Sequence, residues 1–233
     1  MNRVIPFLPI ILLLLGACKN TTVPEADLMY ISDEDGVVHD CNITDSILGI
    51  DVSHHNGPID WEVLHEHHPE IEFVYIRATV GLNKDSKYEE YVNGVKQVGI
   101  KTGAYHYYWA NRNSTVQFNN FKSRVKKGDH NLIPVLDIEK PSKYGPTNLR
   151  RGLSNWLKLA EEEYGVKPMI YTNLSFYNEY LRGYFNEYPK WIAAYSRCPS
   201  SVDWDMHQYS ETGTVRGIKS NVDLNYSASL LCQ

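Results

Sequence analysis

Residues 132–172 read LIPVLDIEKPSKYGPTNLRRGLSNWLKLAEEEYGVKPMIYT, and this stretch holds one full period of the chain's rhythm. Leu132–Ile138 is a near-continuous apolar run that ends on acids, as a strand buried on both faces does. Thr147 suits the cap of a helix that carries Leu149, Leu153, Trp156, Leu157 and Ala160 on one face. Gly165 follows as a stop, and Pro168–Thr172 is the next strand.

The same alternation extends to both sides. Upstream, strands are expected at Ile47–Val52, Glu72–Arg77 and Gly103–Trp109. Helices are expected from Trp61 behind Asp60, over Tyr88–Val98 before Gly99, and from a cap at Ser114 through Val125. Downstream of Thr172 comes a short helix near Ser175–Leu181. The runs Lys190–Tyr195, Asp205–Tyr209 and Val215–Ile218 then follow too closely to hold helices between them. Five strand–helix units followed by three strands give an α/β fold, a modified TIM-like barrel whose last strands are partly antiparallel. In such barrels the chemistry gathers where strands end.

Composition narrows the function. The 233 residues carry 23 Lys and Arg against 28 Asp and Glu, a formal net charge of -5 with no basic block, which argues against nucleic acid as a partner. Seventeen Tyr and five Trp would suit a cleft that holds sugar rings, although tyrosine-rich cores also exist. His65-Glu66-His67-His68 lacks a third element to complete a metal set and reads as a solvated helix end. No phosphate loop and no serine elbow is present, and neither metal nor organic cofactor is expected.

The acids at the strand ends carry the chemistry. Asp51 ends the first strand, while Asp137 and Glu139 end the fourth on one face, with Cα atoms roughly 7 Å apart. Asp223 lies in SNVDLN, and a closed barrel returns it to Asp51. Arg77 ends the second strand and could pair with one of these acids. Crowding and partial burial raise a carboxyl pKa, so one group can keep a proton near neutral pH and donate it to a leaving oxygen. A second, ionised carboxylate can then stabilise positive charge at a sugar carbon, the division of labour in glycoside hydrolysis. An Asp-x-Glu at a strand end also occurs where a strand simply emerges into solvent.

These residues resemble glycoside hydrolase family 25, the Chalaropsis-type lysozymes, which are N-acetylmuramidases. The resemblance runs through GIDVSHHNGPIDW at 49–61, FVYIRAT at 73–79, GAYHYYW at 103–109 and PVLDIE at 134–139. It continues through MIYTN at 169–173, WIAAY at 191–195, HQYSETGTVRGI at 207–218 and VDLN at 222–225. It implies that Glu139 is the general acid. Asp137 would be its carboxylate partner, orienting the acetamido group or stabilising the charged intermediate. Asp51 and Asp223 would shape the site, Tyr105, Tyr171, Trp191 and Tyr195 would line the cleft, and Gln208 would hydrogen-bond nearby. The implied partner is the peptidoglycan glycan strand, cut at the β-1,4 bond between N-acetylmuramic acid and N-acetylglucosamine. A catalytically inactive, peptidoglycan-binding barrel is the alternative. Two departures, Val80 after RAT and His207 before QYS, are expected near the cleft.

The first 17 residues read as a secretory leader: Arg3, then the apolar run Val4–Leu15, shorter than the roughly 20 residues of a membrane span. Leu15-Gly16-Ala17-Cys18 resembles a bacterial lipoprotein box, which implies lipidation of Cys18 and a monomer anchored in the cell envelope, facing the periplasm or the outer membrane. Ordinary cleavage near Ala17 is the other reading. Residues 18–46 read as a polar tether and 47–233 as the barrel domain. Of Cys41, Cys198 and Cys232, the expected disulfide is Cys198–Cys232, with Cys41–Cys232 as its rival.

Overall fold

A computed structural model describes Cys41, residues 46–195 and residues 197–233. The leader, Cys18 and most of the segment read as a tether lie outside the described residues. Eight strands close a barrel: β1 (Ile47–Val52), β2 (Ile71–Val80), β4 (Lys101–Tyr107), β5 (Val135–Asp137), β6 (Met169–Asn173), β7 (Lys190–Ala193), β8 (Met206–Gly213) and β9 (Val222–Ser227). A two-residue strand, β3 (Asn83–Lys84), folds back antiparallel on the end of β2. Among the eight barrel strands, pairing is parallel from β1 through β2, β4, β5, β6 and β7 to β8, and β9 runs antiparallel, closing the barrel between β8 and β1.

Five helices cover the parallel wall: α1 (Trp61–His67), α2 (Tyr88–Gln97), α3 (Ser114–Arg124), α4 (Pro146–Tyr164) and the single turn α5 (Leu174–Phe176), which continues as a π turn over Tyr177–Leu181. The longest, α4, buries Leu149, Leu153, Trp156, Leu157, Ala160 and Tyr164, and its chain reverses at Gly165 with φ 75°. A glycine holds that left-handed angle without a side-chain clash. Asp60 caps α1 as expected. At α3 the cap is Asn113, one residue before Ser114, and α4 begins at Pro146 behind Gly145 without a side-chain cap. Asn173 caps α5. Both caps fall in Asn-x-Ser/Thr sequences, where the asparagine oxygen accepts a backbone N–H of the following turn.

Strand alternation separates two cores. Ile50, Val52, Val74, Ile76, Ala104 and Leu136 point outward and pack under the helices with Trp156 and Phe121. Ile47, Phe73, Tyr75, Val135, Met169, Trp191 and Met206 fill the barrel interior. Two glycines make room for the inner aromatics: a β-carbon on Gly49 would lie 2.5 Å from the Phe73 ring, and one on Gly103 would lie 2.1 Å from Tyr75. This packed floor leaves the opposite rim, at the carboxyl ends of the parallel strands, as the place for polar groups.

Three expectations need correction. Val215–Ile218 is not a strand. Val215 and Ile218 are buried from a loop, and Ile218 bridges to Ile59. The eighth barrel strand is β9, so Asp223 starts a strand instead of following one. Apolar content at 215–218 reflects loop packing, whereas Val222, Leu224 and Tyr226 alternate as a strand must. The disulfide joins Cys41 to Cys198, with Cα atoms 5.5 Å apart, and therefore overturns both pairings that involved Cys232. Cys41 comes within reach of Cys198 because it lies against the outer face of β8 and β9, where Tyr226 donates a hydrogen bond to its sulfur.

Candidate active site

The rim opens into a cleft of about 280 Å³, lined by Asp51, Asp137, Glu139 and Asp223 together with Arg77, Tyr105, Tyr107, Tyr171 and Trp191. Four acids far apart in sequence thus converge on one space. Antiparallel β9 explains the geometry. A parallel strand delivers its last residues to the rim, so Asp51 and Asp137 stand at strand ends, whereas a reversed strand delivers its first, so Asp223 stands at the start of β9. Asp51 and Asp223 face each other directly across the β1–β9 ladder. Two like charges so placed repel.

That pair is settled by amides and a proton. Gln208 and Asn225 donate to Asp51 Oδ2 at 2.8 and 2.9 Å, both from buried side chains. Burial pushes Asp51 up to about 6 despite these two donors, which favour its ionised form. Asp223 rises to about 9 through burial and the charge of Asp51 beside it. The two carboxyls share a hydrogen bond, which requires one of them to keep its proton, and the amide donors make Asp51 the ionised member.

The second pair differs. Asp137 is the last residue of β5, and Glu139 stands two residues further on, nearer the mouth and partly exposed. They too share a hydrogen bond. Burial, followed by the charge of Glu139, holds Asp137 well above the usual carboxylate range, and burial also raises Glu139. Asp137 Oδ1 is buried and reaches no donor. A buried acceptor without a partner costs on the order of 1–3 kcal/mol.

Of the remaining expected residues, Tyr105, Tyr171 and Trp191 line the cleft, whereas Tyr195 and Gln208 do not. Tyr105 and Trp191 lie buried below the acids, and Trp191 donates from Nε1 to Asn225 Oδ1 at 2.9 Å. Tyr171 and Tyr195 both donate to Gln208 Oε1 at 2.8 Å, which orients the amide so that its N–H groups point at Asp51. Gln208 therefore supports the site from beneath, and Tyr195 stands at the rim, 37% exposed. His106 faces the helices, stacked on Trp156, which settles the register that leaves Tyr105 and Tyr107 inside. Val80 pairs with Tyr107 at the rim. His207, in contrast, is buried on the outer face of β8, hydrogen-bonded to Tyr226, and so does not line the cleft. His67 lies against the Val63 carbonyl, and His68 lies against Glu70 and accepts the Arg216 backbone N–H at 3.0 Å, so the helix end is tied to a distant loop. Among the described residues no group of three or more His, Cys, Asp or Glu is placed to hold a metal ion.

Two functional neighbours were not read from the sequence. Asn225 shares a face with Asp223 at i+2, so alternation along VDLN could have found it. Asp85 has no such signal, because it sits in the loop after β3. It is the ion-pair partner of Arg77, with Nε donating to Asp85 Oδ2 at 2.8 Å. Arg77 thus pairs with none of the four rim acids, contrary to expectation; by the end of β2 the loop acid is the nearer anion.

Residues 50–218 match the family described as glycosyl hydrolases family 25. The "Uncharacterized protein YegX" of Escherichia coli K12 is 36% identical over 187 residues, covering 77% of this chain and 69% of that protein. "Lysozyme M1" of Streptomyces globisporus is 32% identical over 203 residues, 78% of this chain and 68% of that protein. Among solved structures, the bacterial lysozyme from Streptomyces coelicolor superposes with a TM-score of 0.68 at 30% identity, covering 78% of this chain and 92% of that one.

Proposed function

The chain belongs to glycosyl hydrolases family 25, and from that membership we propose that it is a peptidoglycan muramidase. It would hydrolyse the β-1,4 bond between N-acetylmuramic acid and N-acetylglucosamine, with Glu139 as general acid and Asp137 as its carboxylate partner. The observation that carries this reading is the hydrogen-bonded Asp137–Glu139 pair at the edge of a tyrosine-lined cleft, with one Asp137 oxygen left without a donor.

The step follows from where the proton lies. Burial and the neighbouring charge of Glu139 give the deeper Asp137 the stronger claim on the proton that the pair shares. A substrate acetamido N–H donated to the Asp137 carboxyl, which lines the cleft, favours ionised Asp137 and moves the proton to Glu139. Glu139, nearer the mouth, then protonates the departing glycosidic oxygen as its bond to the sugar carbon breaks, and ionised Asp137 faces the positive charge that develops there; water then adds at that carbon and its proton returns to the carboxylate pair. Ionised Asp51 adds negative potential from the opposite wall, while Asp223 keeps its proton and limits the repulsion. Tyr171 and Tyr107, the less buried rings of the lining, supply flat apolar surface for the sugar ring above the buried Tyr105 and Trp191.

Glu139→Gln keeps shape and hydrogen-bonding capacity and removes the acid. Loss of turbidity of purified cell walls should slow by about 10²-fold or more. A loss below about tenfold would overturn the assignment of Glu139. A wild-type protein that sediments with peptidoglycan yet releases no reducing ends would make it a binding module instead. We also propose that Cys18 is lipidated and holds the enzyme at the cell envelope. Incorporation of labelled palmitate that disappears in Cys18→Ala is the expected result, and equal labelling of both forms contradicts it.

A further inference from the structure

The cleft lining contains one arginine among four acids, and it is restrained. Arg77 is 9% exposed, and its guanidinium is held along one edge: Nε donates to Asp85 Oδ2 at 2.8 Å, and Nη2 lies 2.6 Å from His54 Nδ1. Asp85 is itself only 2% exposed and fixed, since its other oxygen accepts the Lys87 amide N–H at 3.0 Å. With His54 Nδ1 accepting from Arg77, the His54 backbone N–H donates to Asp85 Oδ2 at 3.3 Å, which closes a three-residue cluster.

We propose that Asp85 is a positioning residue for catalysis, which with His54 holds Arg77 to the wall of the cleft and keeps its guanidinium from ion-pairing with Asp137 and Glu139. The inference rests on the muramidase reading above. An unrestrained guanidinium in an acidic cleft would seek a bidentate carboxylate, the geometry that suits it best. Here that carboxylate would be the general acid or its partner. Such a pair would strip the proton needed for leaving-group departure, because an adjacent arginine lowers a carboxyl pKa by about 1–3 units. Asp85 gives the charge a different, buried partner. The groups that face Arg77 are Asp85 from the β3–α2 loop, His54 and His55 from the turn after β1, Tyr105 and Tyr107 from β4, and Asp137 and Glu139 at the end of β5. Hydrogen bonds from His54, Lys87 and Arg77 outweigh the burial of Asp85 and hold it below its usual range, so it stays an anion wherever the enzyme works.

The test is the pH profile of Asp85→Asn. Release of Arg77 should move the alkaline limb of kcat/KM at least about one pH unit lower, leaving activity at acidic pH closest to wild type. His54→Ala, at a half-exposed side chain, should shift the limb the same way by less, and it serves if Asp85→Asn does not fold. Asp85→Glu should return the limb toward its wild-type position. A uniform drop at all pH values, with the limb unmoved in both variants, would overturn the proposal and leave Asp85 a purely structural residue. Carbon-13 NMR titration of labelled Glu and Asp carboxyls separates this failure from that of the underlying reading. A downward shift of the Asp137–Glu139 titration in Asp85→Asn supports the restraint even if no cell wall is cleaved, and an unchanged titration refutes it.

Discussion

The two acid pairs of the rim are built alike in composition and oppositely in supply of donors. Asp51 and Asp223 come from different strands, meet across an antiparallel ladder, and are served by two buried amides. Asp137 and Glu139 come from one strand end, serve each other, and leave a buried oxygen unanswered. In the first pair the ionised member, Asp51, has two amide donors. Among the described residues no amide serves the second pair, so its proton is held by burial and by the two carboxyls alone. On the proposed reading, the pair without amide donors passes its proton to substrate, and the other holds the field.

The most severe way to break this contrast is Glu139→Gln. It should remove activity by about 10²-fold or more while the melting temperature stays at or above wild type, because burial already penalises the charge that is lost. A smaller effect sharpens the other side. Asp223 titrates near 9 and Asp51 near 6 in the folded protein, both above an unfolded value close to 3.8. Below about pH 4 both groups are protonated in both states, and they cost nothing. As pH rises the unfolded chain ionises first, so stability falls across the window from about 4 to about 9 and then levels. Asp223→Asn keeps a donor for Asp51 and removes the cost of holding a proton that the unfolded chain has lost. It should therefore raise stability by several kcal/mol at pH 8, at about 1.4 kcal/mol for each pH unit above the unfolded value, and by far less at pH 4. Thermal melts at the two pH values check this, and equal shifts at both would refute the account of a proton held by burial beside Asp51.

Much of the barrel was legible because each parallel unit states itself locally. The face of α4, the stop at Gly165 and the apolar strands need no distant information. The closing strand was misplaced because its identity depends on the barrel. Val215–Ile218 has strand-like composition, but a loop uses it, and only the return to β1 shows that Val222–Ser227 completes the wall. Asp51, Asp137 and Glu139 were readable as strand-end residues, while Asp223 was read as following the last strand and in fact starts β9. Asp85 was not readable, since nothing in a loop acid announces a partner on another element, and the Cys41–Cys198 pairing likewise depends on where the chain lies against β8 and β9. His207 shows the converse: a position next to Gln208 in sequence lies on the other face of the same strand, away from the cleft.

The central claim concerns which bond the Asp137–Glu139 pair opens. Mass spectrometry of the fragments released from defined peptidoglycan, after reduction with borodeuteride, reads the new end directly. N-acetylmuramic acid at the labelled reducing end is the predicted result. Labelled N-acetylglucosamine, or fragments with no reducible end, would contradict it.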